Sequence, residues 1–161
     1  MEQIQIHLHF NMNIKNIDKK WIDGFASETE SLSDAHFIRR EVFMNEQKVS
    51  EDEEMIEEED KSSYHLIFYI NNFPIATGRI LNKNNFHYLG RIAVLKEYRG
   101  KKIGSELTNE LIKKSRELKI NKLYIHSQTY AIKFYQKFGF KEYGDEFLDA
   151  GIKHYNMKLE L

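Results

Sequence analysis

The sequence predicts one α+β domain, a twisted and mainly antiparallel sheet flanked by helices. Three observations carry this reading. Several runs alternate apolar and polar residues with a period of two, the mark of half-buried strands. Two later stretches space their apolar residues at three and four, the mark of amphipathic helices. Between the two patterns lies "AVLKEYRGKKIGSEL", residues 93–107, where two glycines and a cluster of Lys and Arg sit at a strand-to-helix junction.

The first strand signal is Ile4, Ile6, Leu8, Phe10, Met12 and Ile14, all of one parity, and it defines an N-terminal strand extension over 1–18. Residues 19–161 form the main domain. It starts with a short strand around "KKWIDGFAS". "SLSDAHFIRREVFMNEQ" follows as a helix, with Ser33 or Asp34 as N-cap and Ala35, Ile38 and Val42 on one face. From Glu51 to Asp60, eight of ten residues are acidic, which reads as a solvated loop or helix face. "YHLIFYI", "PIATGRIL" and "FHYLGRIAV" are strands separated by Asn71-Asn72 and Asn84-Asn85, an antiparallel meander. Ile103, Leu107, Leu111 and Leu118 mark a helix of about four turns. "NKLYIHSQ" is another strand. "AIKFYQKF" is a short helix with Gly139 as its left-handed cap, and "KHYNMKLEL" returns to alternation.

Bulk properties narrow the function. The formal net charge of −1 over 161 residues gives no general attraction to nucleic acid or anionic lipid, so any basic patch acts locally. The chain has no cysteine, which removes thiol nucleophiles and cysteine metal sites and suits a reducing cytoplasm. Its longest apolar stretch, "LIFYI", is far shorter than the roughly 18 residues of a membrane helix. "MEQIQIHLHF" has neither the basic nor the apolar part of a signal peptide, so a cytoplasmic location without membrane contact is expected. His7 and His9 share a strand face but have no nearby carboxylate or Cys partner, so no metal is expected.

The turn from Arg99 through Gly100, Lys101, Lys102 and Ile103 to Gly104 suits an anion. Bare backbone lets N–H groups converge, and the helix dipole adds its positive end. Neither the Walker spacing nor the dinucleotide G-x-G-x-x-G string is present. The bland alternative is a tight turn whose cations only solvate it.

Taken with the order of elements around it, "GRIAV", "EYRGKKIG", a helix, a strand and then "FYQKFGF", this stretch resembles the GNAT N-acetyltransferase superfamily. "IRREVFMNEQ", the acidic stretch ending in "EED", "GRI" and "DAGIKHYNM" are similar to its ElaA-like branch. The likeness covers about residues 20–161. One departure is Lys102, at a place the family gives to glycine; a side chain there is expected to keep φ negative. The resemblance implies acetyl-CoA as cosubstrate, lying between two splayed strands. The backbone of Ile92, Ala93 and Val94 would pair with its pantetheine arm as an added strand. The 99–104 turn would take the diphosphate, and Gln128 would touch the cofactor. It implies Tyr135 as general acid, a role that a phenol neutral at pH 7 can fill, although an anchoring core tyrosine has the same pattern.

Neither "GRIAV" nor "KLYIHSQ" carries a glutamate for the general base, which leaves His126 as the nearest titratable candidate. Glu41 and Glu46, from the first helix region, and His154, through the resemblance, are candidates for binding the amine. The expected partner is a small-molecule or peptide amine, with no nucleic acid and with a homodimer through the 4–14 strand left open. Two alternatives stand beside an enzyme: a degenerate domain that senses an acyl-CoA, and an RNA-binding module using Arg99, Lys101 and Lys102. The second lacks aromatics interleaved with its cations.

Overall fold

The structure, a computed structural model, describes residues 16–25 and 32–161. The alternating run 4–14, with His7 and His9, lies outside these residues. Seven strands form one sheet in the order β1-β2-β3-β4-β5-β7-β6. In chain order they are β1 (Asp18–Asp23), β2 (Ser63–Ile70), β3 (Phe73–Lys83), β4 (Phe86–Val94), β5 (Lys122–Gln128), β6 (Lys141–Asp149) and β7 (Ile152–Glu160). All neighbours run antiparallel except β4 and β5, which are parallel.

The meander is built as its turn residues dictate. Asn71 and Asn72 take φ of 49° and 64°, and Asn84 and Asn85 take 54° and 65°. Two consecutive left-handed residues match the twist of a hairpin, and asparagine tolerates that conformation best after glycine. Ala150 and Gly151 repeat the arrangement between β6 and β7, with φ of 50° and 73°. The sequence pattern did not disclose β6. It is an edge strand, mostly exposed, and Gly144 at φ 72° together with a register shift between Tyr143 and Phe147 breaks its alternation.

Helices cover both faces. The helix α1 (Ser33–Arg39) continues as a π-turn over Arg40–Glu46. Two single-turn helices follow, α2 (Glu51–Glu54) and α3 (Glu57–Lys61), then the long α4 (Ile103–Glu117) and the short α5 (Ile132–Gln136). Leu32, not Ser33 or Asp34, occupies the N-cap of α1 and makes no side-chain cap. Asp34 instead accepts a hydrogen bond from the Tyr69 hydroxyl at 2.8 Å. Ile103, Leu107 and Leu111 of α4 join Leu66, Ile80, Leu89, Leu123 and Met157 in the larger core. Ala35, Ile38 and Val42 pack with Ile22 and Ile67 on the opposite face. Leu107 is fully buried, so its truncation to Ala would cost about 2–5 kcal/mol. No described helix is long and apolar enough to cross a membrane.

Most of the acidic run is exposed, as its composition predicts, but two of its carboxylates are not. Glu54 and Asp60 are 2% and 4% exposed. Arg39, itself buried, donates from Nε to Glu54 at 2.6 Å and from Nη1 to Asp60 at 2.7 Å. Arg79 reaches Asp60 and Glu59 at 2.7 and 2.6 Å, and Arg91 lies 3.0 Å from Glu54. Buried arginines in otherwise apolar elements demand carboxylates, and the run supplies them.

Candidate active site

The sheet opens in its middle. Between β4 and β5 the only register pair is Tyr88 with Tyr124, and beyond it the strands diverge toward Val94 and Gln128. A bulge causes this. Thr77 of β3 faces Ala93 while Arg79 faces Gly90, so Arg91 and Ile92 together stand opposite Gly78. Arg91 takes φ 52°, and the extra residue bends β4 away from its neighbour.

After the bulge the strand is regular. Leu95 donates its N–H to the Ile75 carbonyl on β3 at 2.9 Å. By the alternation of strands, Ala93 also turns its main chain toward β3, whereas Ile92 and Val94 turn theirs into the gap. Of the three residues expected to pair with a pantetheine arm, Ile92 and Val94 therefore face the opening and Ala93 does not; its side chain is buried in the second core.

The glycine turn closes one end of this gap. Gly100 has φ 76°, and a Cβ built there would meet nothing within 4 Å, so the backbone is bare. Lys102 has φ 63° and immediately precedes α4. The expectation of a negative φ is thus overturned: lysine itself takes the left-handed conformation. A left-handed lysine costs about 1–2 kcal/mol in backbone strain. Arg99 is not free. Its Nε donates to the Val94 carbonyl at 2.8 Å, and its two terminal nitrogens donate to the carboxylate of Glu46 at 2.9 and 2.8 Å.

The opening leads into a cleft of about 620 Å³ that passes from one face of the sheet to the other. Tyr135 enters it from the α5 side. The ring packs edge-to-face on Phe134 and Phe140, 5.0 and 6.0 Å between centroids, and is 9% exposed. Burial pushes the phenol above its ordinary pKa of 10, so it stays protonated at neutral pH. Among the described residues its hydroxyl has no hydrogen-bond partner, which leaves the proton available.

His126 enters from the opposite face. Tyr88 and Phe147 flank its ring edge-to-face, each at 5.4 Å. The residue is exposed to the cleft, and the partial desolvation its ring still suffers there lowers its pKa below 6.5, against the pull of the Asp149 carboxylate. His154 stacks on Phe147 at 5.7 Å, and its Nδ1 donates to the Ile152 carbonyl at 2.6 Å. Gln128 lines the cleft and donates through Nε2 to Gln47 at 2.8 Å.

The two glutamates expected at the amine do not line the cleft. Glu41 accepts from Asn45 at 2.9 Å on the surface, and Glu46 is taken by Arg99. Carboxylates that do line it come from the acidic run and from the β6–β7 turn: Glu53, Glu54, Glu59 and Asp149. Sequence reasoning singled out none of these four residues. The available signal was Arg79, a charge inside the apolar run "PIATGRIL", which requires a buried counter-ion from elsewhere in the chain.

Comparison with known proteins agrees with this geometry. The family model described as an acetyltransferase (GNAT) domain matches residues 27–161. The chain belongs to the GNAT acetyltransferase family. A Bacillus subtilis protein described as the uncharacterized N-acetyltransferase YjcF is 37% identical over 133 residues, 82% of this chain and 94% of the relative. The crystal structure of Escherichia coli ElaA shares the fold, with a TM-score of 0.75 and 23% identity over 89% of this chain and 99% of that one. A GNAT family acetyltransferase from Elizabethkingia anophelis, solved with acetyl-CoA bound, superposes with a TM-score of 0.67 and 18% identity, covering 91% and 99% of the two chains. This acetyltransferase thus shares the overall fold of these two structures.

Proposed function

We propose that the acetyltransferase moves the acetyl group of acetyl-CoA to the primary amine of a small molecule or peptide, in the cytoplasm, by direct attack of the amine on the thioester carbonyl. The observation that carries this reading is the gap between β4 and β5. It offers the main chain of Ile92 and the N–H of Val94 along one side, the basic turn at one end and a protonated Tyr135 beside it. The E. anophelis relative with acetyl-CoA bound supports the choice of cosubstrate.

The residues fit that ligand. Main-chain groups of Ile92 and the N–H of Val94 would pair with the extended arm, with Gln128 at the other lip. The turn N–H groups from Gly100 to Gly104, with Lys101 and Lys102 beside them, would meet the diphosphate. Acetyl-CoA supplies the activated acyl group. His126, neutral at pH 7, takes the proton that the ammonium must lose before its nitrogen can attack. As the C–N bond forms and the C–S bond breaks, main-chain N–H groups of β4 stabilise the carbonyl oxygen, and Tyr135 donates its proton to the departing thiolate. The slot that makes the phenol a weak acid also makes an expelled thiolate a strong base, so the pair stays matched. Glu53 and Asp149 on the cleft wall favour a cationic amine, with His154 at the same wall.

The test is a thiol-release assay with acetyl-CoA and a panel of amines, polyamines, amino sugars and peptides, run on wild type and Tyr135→Phe. Turnover of an amine, with kcat lowered roughly 10²–10⁴-fold in the variant while acetyl-CoA binding persists, supports the reading. Tight acetyl-CoA binding without turnover of any amine would instead make the domain an acyl-CoA sensor. A Tyr135→Phe enzyme with normal kcat removes the tyrosine from the mechanism.

A further inference from the structure

Two consecutive residues, Glu46 and Gln47, stand at the end of the π-turn that follows α1. Each is bound to a different lip of the gap. The Glu46 carboxylate holds the Arg99 guanidinium in a two-pronged pair, and the same guanidinium holds the carbonyl of Val94, the last residue of β4. The Gln47 side-chain carbonyl accepts from the amide of Gln128, the last residue of β5. Here the strands have no hydrogen bonds to each other, since their single register pair is at Tyr88 and Tyr124.

We propose that Glu46 and Gln47 form a strap across the open end of the β4–β5 gap and act as positioning residues for the thioester arm, with Arg99 serving as the link to β4. The inference rests on the acetyl-CoA reading of the cleft. Side chains set the width of the gap at its mouth, where backbone hydrogen bonds do not. The π-turn is part of the device: the Gln47 N–H closes on the Val42 carbonyl, five residues back, at 3.2 Å. Such wide turns concentrate at functional sites. The guanidinium spends three of its five N–H groups in one plane on Val94 and Glu46, which fixes its orientation. The strap also orients the Gln128 amide, whose own carbonyl is left for a donor.

The strap and the simpler alternative, a cation free for the diphosphate, predict opposite signs. Removing the Glu46 charge beside an anion-binding turn should tighten a polyanion if electrostatics alone governs it. If the strap governs, the lip loosens and binding weakens. Calorimetry of wild type, Glu46→Gln and Gln47→Leu with acetyl-CoA and with S-acetylpantetheine, which lacks the diphosphate, separates the two. The strap predicts that both variants raise Kd for both ligands by about three- to tenfold. It also predicts that the acetyl-CoA KM rises more than kcat falls. Glu46 is half-exposed and outside the core, so Glu46→Gln retains the fold, and a melting temperature near wild type checks this. Unchanged or tighter acetyl-CoA binding by Glu46→Gln overturns the strap alone. So does a loss confined to acetyl-CoA with S-acetylpantetheine unaffected. Failure of the wild type to bind acetyl-CoA overturns the functional reading and the strap with it.

Discussion

In the proposed mechanism His126 sets the pH dependence of the cleft. Its imidazole must be neutral to accept a proton, and desolvation lowers its pKa below 6.5. The sign follows: activity persists on acidification through 6.5 and falls only at lower pH, as the ring takes up a proton. The kcat/KM profile of wild type should therefore have its acidic limb below 6.5, and His126→Gln should lower kcat and abolish that limb. A limb unchanged in the variant would assign the base elsewhere. Tyr135, raised above 10, puts no limb near neutrality. These two residues were legible in the sequence for different reasons. Tyr135 lies in a helical repeat beside a recognisable family motif, whereas His126 stood out only because β4 and β5 lack a carboxylate. Glu46 was misread because a carboxylate on a helix says nothing of what it faces. Its partner Arg99 is 53 residues away in sequence.

The bulge on β4 depends on a glycine in the facing strand. A Cβ at Gly78 would stand 2.8 Å from the Leu111 side chain, 3.2 Å from Ile92 and 3.3 Å from Leu107. Gly78 thereby gives room both to the bulge residue Ile92 and to α4. Gly78→Ala should destabilise the protein by about 1–3 kcal/mol through overpacking, seen as a lower denaturation midpoint in urea with an unchanged slope. It should also weaken acetyl-CoA, because Ile92 is displaced. A neutral Gly78→Ala would mean that α4 moves aside freely. The meander, α4 and β7 were legible because their apolar residues keep one period. The bulge was not, since a one-residue excess leaves no mark on an apolar run. β6 was hidden by its polarity as an edge strand.

Across the molecule, a buried charge network ties α1, the acidic helices and β2–β4 together. At its centre is Asp60. Burial alone would raise its pKa, but His36 and the guanidiniums of Arg39 and Arg79 hold it well below the carboxylate range. Glu54 goes the other way, raised by burial against Arg91 and Arg39. His65, 1% exposed, contacts the Asp60 carbonyl at 2.8 Å and is pushed down to about 4, chiefly by desolvation. A depressed histidine stays neutral in the fold while the unfolded chain binds its proton. Its stability is therefore whole above pH 6.5 and is lost as pH falls from 6.5 to about 4, in all about 3 kcal/mol. Melting temperatures should fall across that window, and His65→Gln should flatten the slope. Comparing the two slopes isolates His65 from Glu54, whose shift acts in the opposite direction.

A gap in the middle of a sheet is also a pair of strand edges turned inward. On the rim of a protein such edges invite other chains to add strands and aggregate. Here the two edges converge on the Tyr88–Tyr124 rung, so the wedge tapers and denies a foreign strand the parallel track it needs. The molecule keeps unpaired main chain inside the sheet without advertising it. That state has a signature in amide exchange along one strand. In the free protein the N–H groups of Ile92 and Val94 should exchange fast and those of Ala93 and Leu95 slowly. Equal protection at all four positions would mean that the wedge is shut.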